Sequence, residues 1–230
     1  MEKSPRFTGR LAALLIAFPA VLVASAARPA GSGPDFAMAR TQFEAARAGA
    51  SAATEQAQQL FSRLLSADAN NPLYLAYYGS TFALQARDTR VPWTRIKLIN
   101  QGTTLLDCAL ALLEHAQGSA RPKTATAAAP LAGPAVLETR LVAMATFVAL
   151  PETLFHRLGA AKREYQRAVT SLEFAAASSD LQGHLRFEGA LIARQEGDVT
   201  AERAALRHVL ALSPPSIDMA EVRARLAELR

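Results

Sequence analysis

The chain has 230 residues, of which 50% are hydrophobic, and it carries 25 basic and 20 acidic side chains. This length is sufficient for one domain with a sizeable core, and a mild positive charge spread along the chain lacks the clustered basic patch typical of nucleic-acid-binding proteins. Alanine and leucine dominate the hydrophobic residues, and because both favour helices, the composition predicts an all-α protein.

Residues 1–26 have the organisation of a secretory signal peptide. Three basic residues precede a short apolar run, and the small residues Ala24–Ala26 follow it in an A-x-A pattern. The run is short for a bilayer span and is interrupted by Pro19, although an uncleaved membrane anchor is the alternative. We therefore expect a periplasmic or secreted protein that is cleaved near Ala26. Without these residues the net charge is about +3.

The rest of the chain shows helical spacing of apolar residues between short breaks. Residues 27–34 are rich in glycine and proline and predict a flexible linker, so the folded domain is expected over 35–230. Asp35 and Ser216 are predicted to cap the first and last helices. Residues 116–134 form a low-complexity Ala/Pro segment, which predicts a mobile loop. The helices are expected at 35–49, 52–67, 73–86, 94–115, 136–150, 158–177, 181–195, 199–212 and 216–230.

The sequence contains no catalytic or metal-binding motif that we recognise. Its histidines lie outside any H-E-x-x-H sequence, and it lacks a phosphate-binding glycine loop and a G-x-S-x-G turn. The single cysteine, Cys108, cannot form an internal disulfide and is expected to be a small buried hydrophobic residue. We therefore predict a protein that binds without catalysis and that needs no cofactor and no metal.

Residues 53–85, "ATEQAQQLFSRLLSADANNPLYLAYYGSTFALQ", contain an ordered set of small, aromatic and aliphatic positions. This order resembles the boundary between two tetratricopeptide repeats, where the second helix of one repeat meets the first helix of the next. Gly79 corresponds to the glycine that lets two helices of such repeats cross closely. The matching positions are Ala57, Phe61, Leu64, Leu75, Tyr78, Gly79 and Phe82.

The same spacing recurs in a weaker form toward the C-terminus, as in an exported bacterial member of this family with degenerate repeats. The resemblance implies about four helical hairpins followed by a C-terminal capping helix. The recurring positions are Leu141, Met144, Ala145 and Val148; Ala161, Tyr165 and Ala168; Leu185, Gly189 and Ile192; and Leu206, Val209 and Pro214.

Tetratricopeptide-like arrays bind peptides in a concave groove lined by the first helix of each hairpin, and the resemblance implies such a groove here. Its positions are mainly small and apolar, with arginines at one end that suit an acidic end of the peptide. Alternatively, another helix of the same chain or a second copy of the protein fills the groove. The implied positions are Leu73, Ala76, Ser80, Ala83, Thr139, Val142, Thr146, Ala149, Arg186, Ala190 and Arg194.

The stretch Arg87–Lys97, "RDTRVPWTRIK", lengthens a turn that such repeats keep short. Trp93, the only tryptophan, is interpreted as a wedge between helices. Four cations surround the expected helix start, where free N–H groups can hold an anion. They are Arg87, Arg90, Arg95 and Lys97.

Two functions follow from these features. The first is a protein- or peptide-binding adaptor of the bacterial cell envelope, and the second is an accessory protein that binds a small anionic ligand for envelope transport. The partner is expected to be a protein, a peptide or a second copy of the chain, and no nucleic acid. Membrane contact is expected only through the N-terminal segment if it is uncleaved.

Overall fold

The computed structural model describes residues 33–118 and 131–229, and within these ranges it contains helices and no strand. The all-α prediction is therefore confirmed. The predicted signal peptide, nearly all of the predicted linker and residues 119–130 of the predicted loop lie outside the described residues. The helices are α1 (Pro34–Arg47), α2 (Ser51–Ala67), α3 (Pro72–Asp88), α4 (Pro92–Gly118), α5 (Gly133–Ala149), α6 (Glu152–Phe155), α7 (Leu158–Val169), α8 (Leu172–Ala176), α9 (Ser179–Glu196), α10 (Val199–Leu212) and α11 (Met219–Glu228).

Side-chain caps define several of the helix starts. The Asn71 side chain accepts hydrogen bonds from the backbone N–H groups of Leu73 and Tyr74, at 3.1 and 3.2 Å, and so fixes the start of α3. Two predicted caps are wrong. Asp35 lies inside α1, which begins without a side-chain cap, and α11 is capped by Asp218 instead of Ser216.

Among the predicted boundaries that differ from the structure, two change the extent of a loop or the number of helices. The Ala/Pro segment was expected to be a loop over residues 116–134, but α4 continues to Gly118 and α5 already begins at Gly133. The single helix expected over residues 158–177 is divided into α7 and α8. The Ser171 hydroxyl accepts from the Phe174 N–H at 3.2 Å and caps the second piece, because serine competes well for a helix start.

The helices pack in two rows. In the first row α1, α3, α5 and α9 contact one another in that order. Each of them also packs against a helix that follows it in the chain, which is α2, α4, α7 and α10 respectively, and α11 lies against α10. The first row is thus covered on one side by the second, and its other side is where a concave surface can form.

An aromatic cluster joins α1, α2 and α3. The ring of Tyr77 stacks on that of Phe61 with centroids 4.8 Å apart, and Phe43 meets Tyr77 edge-on at 4.9 Å. Phe36 closes the cluster from the start of α1. Aromatic pairs of this kind add about 0.5–1.5 kcal/mol each beyond the burial of their area. This end of the first row is therefore a rigid wall.

Gly79 and Gly102 allow α3 and α4 to cross at close range. A Cβ atom at Gly79 would lie 2.9 Å from the carbonyl oxygen of Gly102, and one at Gly102 would lie 2.6 Å from that of Gly79. Backbone atoms on both sides leave no room for a side chain. The close approach expected at Gly79 is present, and Gly102 is its partner.

The outer face of α4 is uncovered within the described residues. Trp93 is 75% exposed, so its interpretation as a wedge between helices is wrong. Cys108 is also exposed, contrary to the prediction of a buried residue. Helix α4 buries Leu106, Ala109 and Leu113 on its other face. By length and composition α4 could cross a membrane, a property that core helices of soluble proteins share.

Candidate functional site

A cleft runs between α1, α3, α5 and α9, and we call it the inner cleft. The space in it that is open to the centre of a water molecule measures about 60 Å³. Because one water needs roughly 10–15 Å³, the inner cleft has room for about four waters or for the end of one long side chain. Its surface is mainly apolar, and its lining residues are Phe43, Glu44, Arg47, Tyr77, Ser80, Ala83, Leu84, Glu138, Leu141, Val142, Ala145, Thr146, His184 and Glu188.

A tyrosine and a glutamate connect α3 to α5 on one side of the inner cleft. The Tyr77 hydroxyl donates to Glu138 Oε1 at 2.5 Å, and Arg40 of α1 lies 3.4 Å from the same oxygen. Burial raises the pKa of Tyr77 well above its usual value, with a smaller contribution from Glu138. The phenol therefore stays protonated and acts as a fixed hydrogen-bond donor. Glu138 is held from two sides and serves to join the three helices.

Two hydroxyl groups bridge α3 and α5 in the inner cleft. Ser80 Oγ and Thr146 Oγ1 are 2.7 Å apart, and the Thr146 hydroxyl also donates to the carbonyl of Val142 at 2.8 Å. Since the Thr146 proton is used by Val142, the Ser80 hydroxyl is the donor between the two. The pair places oxygen lone pairs on an otherwise apolar wall.

Glu188 is the least satisfied carboxyl group in the inner cleft. Only 3% of the residue is exposed, and its Oε2 atom is buried without a hydrogen-bond partner in the described structure. Burial raises the pKa of Glu188 to about 7, although Arg47 acts in the opposite direction. Glu44 forms a salt bridge with Arg47 at 3.2 Å, so this arginine is shared between two acids. Near neutral pH Glu188 is thus poised between its protonated and ionised forms.

His184 lies one turn before Glu188 and binds the loop that precedes α11. Its Nε2 atom is 2.5 Å from Ser216 Oγ, and that hydroxyl donates to Asp180 Oδ1 at 2.6 Å. Burial lowers the pKa of His184 to about 4, so the ring is neutral at pH 7 and its Nε2–H is the donor to Ser216. In a serine hydrolase the carboxylate accepts a hydrogen bond from the imidazole, whereas here it accepts one from the serine hydroxyl. The trio therefore ties the loop to α9.

Four of the predicted groove positions line the inner cleft, and all four lie on α3 and α5. They are Ser80, Ala83, Val142 and Thr146. Leu73, Ala76 and Thr139 are buried in helix packing, and Ala149 is partly buried.

The predicted positions on α9 point elsewhere. Arg186 donates to the Tyr165 hydroxyl at 3.1 Å and lies over the ring of Phe174, which places it against α7 and α8. Ala190 and Arg194 line a separate depression between α9, α10 and α11. The face of α9 toward the inner cleft carries His184 and Glu188 instead. A shift of two residues turns a helix by roughly 200°, which explains how the resemblance selected the opposite face.

Two of the four cations in the predicted anion site bind backbone carbonyls near helix ends instead. Arg87 Nη2 donates to the carbonyl of Ala46 at 2.9 Å, beside the C-terminus of α1, and Arg95 donates to the carbonyls of Ala86 and Thr89 at 3.0 and 2.8 Å. Cations are favoured at the carboxyl ends of helices. Arg90 and Lys97 are exposed. The start of α4 therefore lacks the convergent guanidinium groups that an anion site needs.

Comparison with protein-family models, curated proteins and solved structures gave no significant match. Among residues 33–118 and 131–229, no cluster of histidine, cysteine, aspartate and glutamate is arranged to hold a metal ion. The inner cleft itself is therefore the basis for any functional interpretation.

Proposed function

We propose that the protein is a non-catalytic binding scaffold of the cell envelope that binds a segment of a partner protein along the first row of helices, with the end of one side chain of that segment in the inner cleft. The proposal combines the export signal expected from residues 1–26 with a concave surface along the first row of helices. The cleft carries the proposal, because apolar walls with a few oriented polar groups are the usual composition of a binding site.

The order of helix contacts supports a tetratricopeptide-like array. Helices of one row contact each other in sequence, and each is backed by a helix of the other row, as in stacked hairpins. The close crossing at Gly79 belongs to one such hairpin. A second close approach occurs at Gly189, where a Cβ atom would meet the ring of Tyr165 at 2.4 Å. These two glycines and the tyrosine occupy positions that the repeat pattern selected.

The charges of the inner cleft favour a partner segment over a small anion. Glu44, Glu138 and Glu188 all line it, whereas Arg47 is the only arginine among its lining residues. An anionic ligand would meet three carboxyl groups there. The second function, an accessory protein for anion transport, is therefore less well supported.

Ala83 offers a direct test because it lines the inner cleft and is only partly buried. Peptides would be selected from a random library on the wild-type protein, and their Kd measured by fluorescence anisotropy. An Ala83→Arg substitution fills the cleft and is expected to weaken binding at least about tenfold, which corresponds to about 1.4 kcal/mol. Ala111→Arg, at an exposed position on α4, is the matched control and is expected to leave Kd unchanged.

Circular dichroism of both variants checks that helicity is retained. Failure to select any peptide, or equal Kd values for the Ala83→Arg variant and wild type, would contradict the proposal. Sedimentation analysis would show whether a second copy of the chain occupies the cleft, because Ala83→Arg would then turn a dimer into a monomer.

A further inference from the structure

Glu188 has a buried oxygen, Oε2, to which no group of the described structure donates a hydrogen bond. A buried polar atom without a hydrogen bond costs about 1–3 kcal/mol, and more when it carries charge. The chain avoids this cost at its other deeply buried glutamates. Glu164 and Glu202 are each 3% exposed, as is Glu188, yet both accept hydrogen bonds from arginines. Glu188 thus differs from both in having a buried oxygen to which no side chain of the described structure donates.

The groups that face Glu188 leave the inner cleft acidic. They are Glu44 and Arg47 on α1, Tyr77 on α3, Glu138 on α5 and His184 on α9. Arg47 already pairs with Glu44, and Arg40 pairs with Glu138 from outside the lining set. His184 is neutral at pH 7 and Tyr77 is protonated. Once ionised, Glu188 shares the single positive charge of Arg47 with Glu44, so the lining of the inner cleft carries an excess of negative charge.

The size of the inner cleft restricts what can reach Glu188. Sites for whole drug-sized ligands measure about 300–1,000 Å³, whereas the space here is about 60 Å³. The end of an alkyl-ammonium chain fits, with its methylenes against Leu84, Val142 and Ala145. A guanidinium carries five N–H donors in a rigid planar fork, more than Glu188 and the two hydroxyl oxygens of this wall can satisfy in so small a space. A compact ammonium has three, for which Glu188 and the oxygens of Ser80 and Thr146 are sufficient acceptors.

We propose that Glu188 anchors a lysine-type primary ammonium group of the partner segment, which enters the inner cleft with its alkyl chain against the apolar wall. The inference rests on the proposed function, since it names the chemistry by which that cleft selects its partner. It predicts a specificity for lysine over arginine and over neutral side chains of equal length.

Binding of an ammonium group is expected to depend on pH. Only ionised Glu188 forms the ion pair, and its pKa without ligand is about 7. Affinity should therefore rise about tenfold for each pH unit up to pH 7 and level off above it. The other facing acids, Glu44 and Glu138, are paired with arginines, and His184 stays neutral over this range.

The test uses two random peptide pools of equal length, one with lysine and one with norleucine fixed at the central position, together with n-butylamine and n-propylguanidine. Wild-type protein is expected to prefer the lysine pool about ten- to hundredfold, the range of a hydrogen bond to a charged group. A Glu188→Gln variant should lose this preference while still binding peptides. Glu55→Gln, at an exposed position on α2, is the control and should keep it.

A measurement on wild-type protein removes any dependence on how the variant folds. The side-chain carboxyl of Glu188 is followed by carbon-13 NMR through a pH titration, and n-butylamine should lower its pKa while n-butanol should not. Peptide binding without a lysine preference, or a Glu188 pKa unaffected by n-butylamine, overturns the inference and leaves the scaffold function standing. Glu188-dependent binding of n-butylamine without binding of any peptide supports the ammonium site and contradicts the scaffold function.

Discussion

Glu164, between α5 and α7, and Glu188, in the inner cleft, have the same 3% exposure but opposite surroundings. Arg140 donates to Glu164 from α5, and Arg167 donates to it at 2.6 Å from one turn further along α7. Glu188 instead retains a buried oxygen without a partner. The difference teaches that burial of a carboxylate is not a functional signal by itself in this fold. What distinguishes Glu188 from Glu164 and Glu202 is the missing partner combined with its position in the inner cleft.

Glu202 on α10 extends the comparison. Arg225 of α11 binds both of its oxygens, at 2.6 and 2.9 Å, in the bidentate geometry that suits a guanidinium. Glu164 and Glu202 each join two neighbouring helices, whereas Glu188 joins none in this way. Paired glutamates therefore belong to the packing of the array, and Glu188 belongs to the cleft.

The largest effect is expected when the Glu164 site is converted into an unpaired carboxylate. Arg140→Ala combined with Arg167→Ala should lower the free energy of unfolding by about 3–5 kcal/mol, because Glu164 is deeply buried and would lose both of its arginine partners. Urea unfolding measures the loss. Lys162→Ala breaks the exposed pair with Glu196 and should cost less than about 1 kcal/mol. Equal losses in the two variants would contradict the distinction between buried and exposed pairs.

Glu188→Gln, unlike the loss of a partner at Glu164, should raise the free energy of unfolding relative to wild type, and this gain should increase as pH rises. The pKa of Glu188 is about 7 in the folded state, against 4.5 when unperturbed. Its contribution to stability is therefore complete below pH 4.5 and lost as pH rises through 7. Relative to wild type, the variant should gain on the order of 3 kcal/mol between pH 4.5 and 8. Urea unfolding across this range tests it, and a constant difference would contradict the assignment of Glu188 as unpaired.

His184→Gln should make the stability of the protein depend more strongly on pH than it does in the wild type. The pKa of His184 is lowered by burial to about 4, from 6.5, while Asp180 raises it and Arg47 lowers it further. The neutral ring is therefore favoured in the folded state, and this stability is present above pH 6.5 and lost as pH falls toward 4. Between pH 4.5 and 6.5 the contributions of His184 and Glu188 to the free energy of unfolding therefore change in opposite directions as pH rises.

The joint contribution of His184 and Glu188 to the stability of the wild-type protein should accordingly vary little in that window. His184→Gln keeps an N–H donor for Ser216 and should leave the fall in stability with rising pH that is due to Glu188. Glu188→Gln should leave only the increase in stability with rising pH that is due to His184. Parallel pH profiles for the two variants would contradict the opposing pKa shifts.

Much of the fold could be predicted from the sequence because helix-forming composition and apolar spacing act locally. The same holds for Gly79, whose lack of a side chain matters wherever a second helix crosses. The groove positions on α3 and α5, such as Ser80 and Val142, came from the resemblance to tetratricopeptide repeats, and these two line the inner cleft.

The features that could not be predicted from the sequence depend on which surface of a helix is covered by the remainder of the chain. Helix α4 is apolar on several sides, but α3 covers only one of them, so Trp93 and Cys108 are exposed against expectation. On α9 the resemblance selected Arg186 instead of Glu188, two residues away. The i, i+4 spacing of His184 and Glu188 was a signal that could have been used, because it places two polar residues on one helical face.

The smallest effect is expected when Glu202 loses its partner Arg225 and so becomes an unpaired glutamate like Glu188. Arg225→Ala removes the arginine, whose side chain is 27% exposed, so water can reach part of the vacated space. The loss should be about 1–2 kcal/mol at pH 8, between the values for exposed and buried pairs. It should shrink toward pH 5, since an unpaired buried carboxyl group takes up a proton. Adding Glu202→Gln should restore stability at pH 8. A loss that is independent of pH and persists in the double variant would mean that Arg225 stabilises the protein through the packing of its methylenes. Removal of the arginine partner would then not be sufficient to give Glu202 the properties of Glu188.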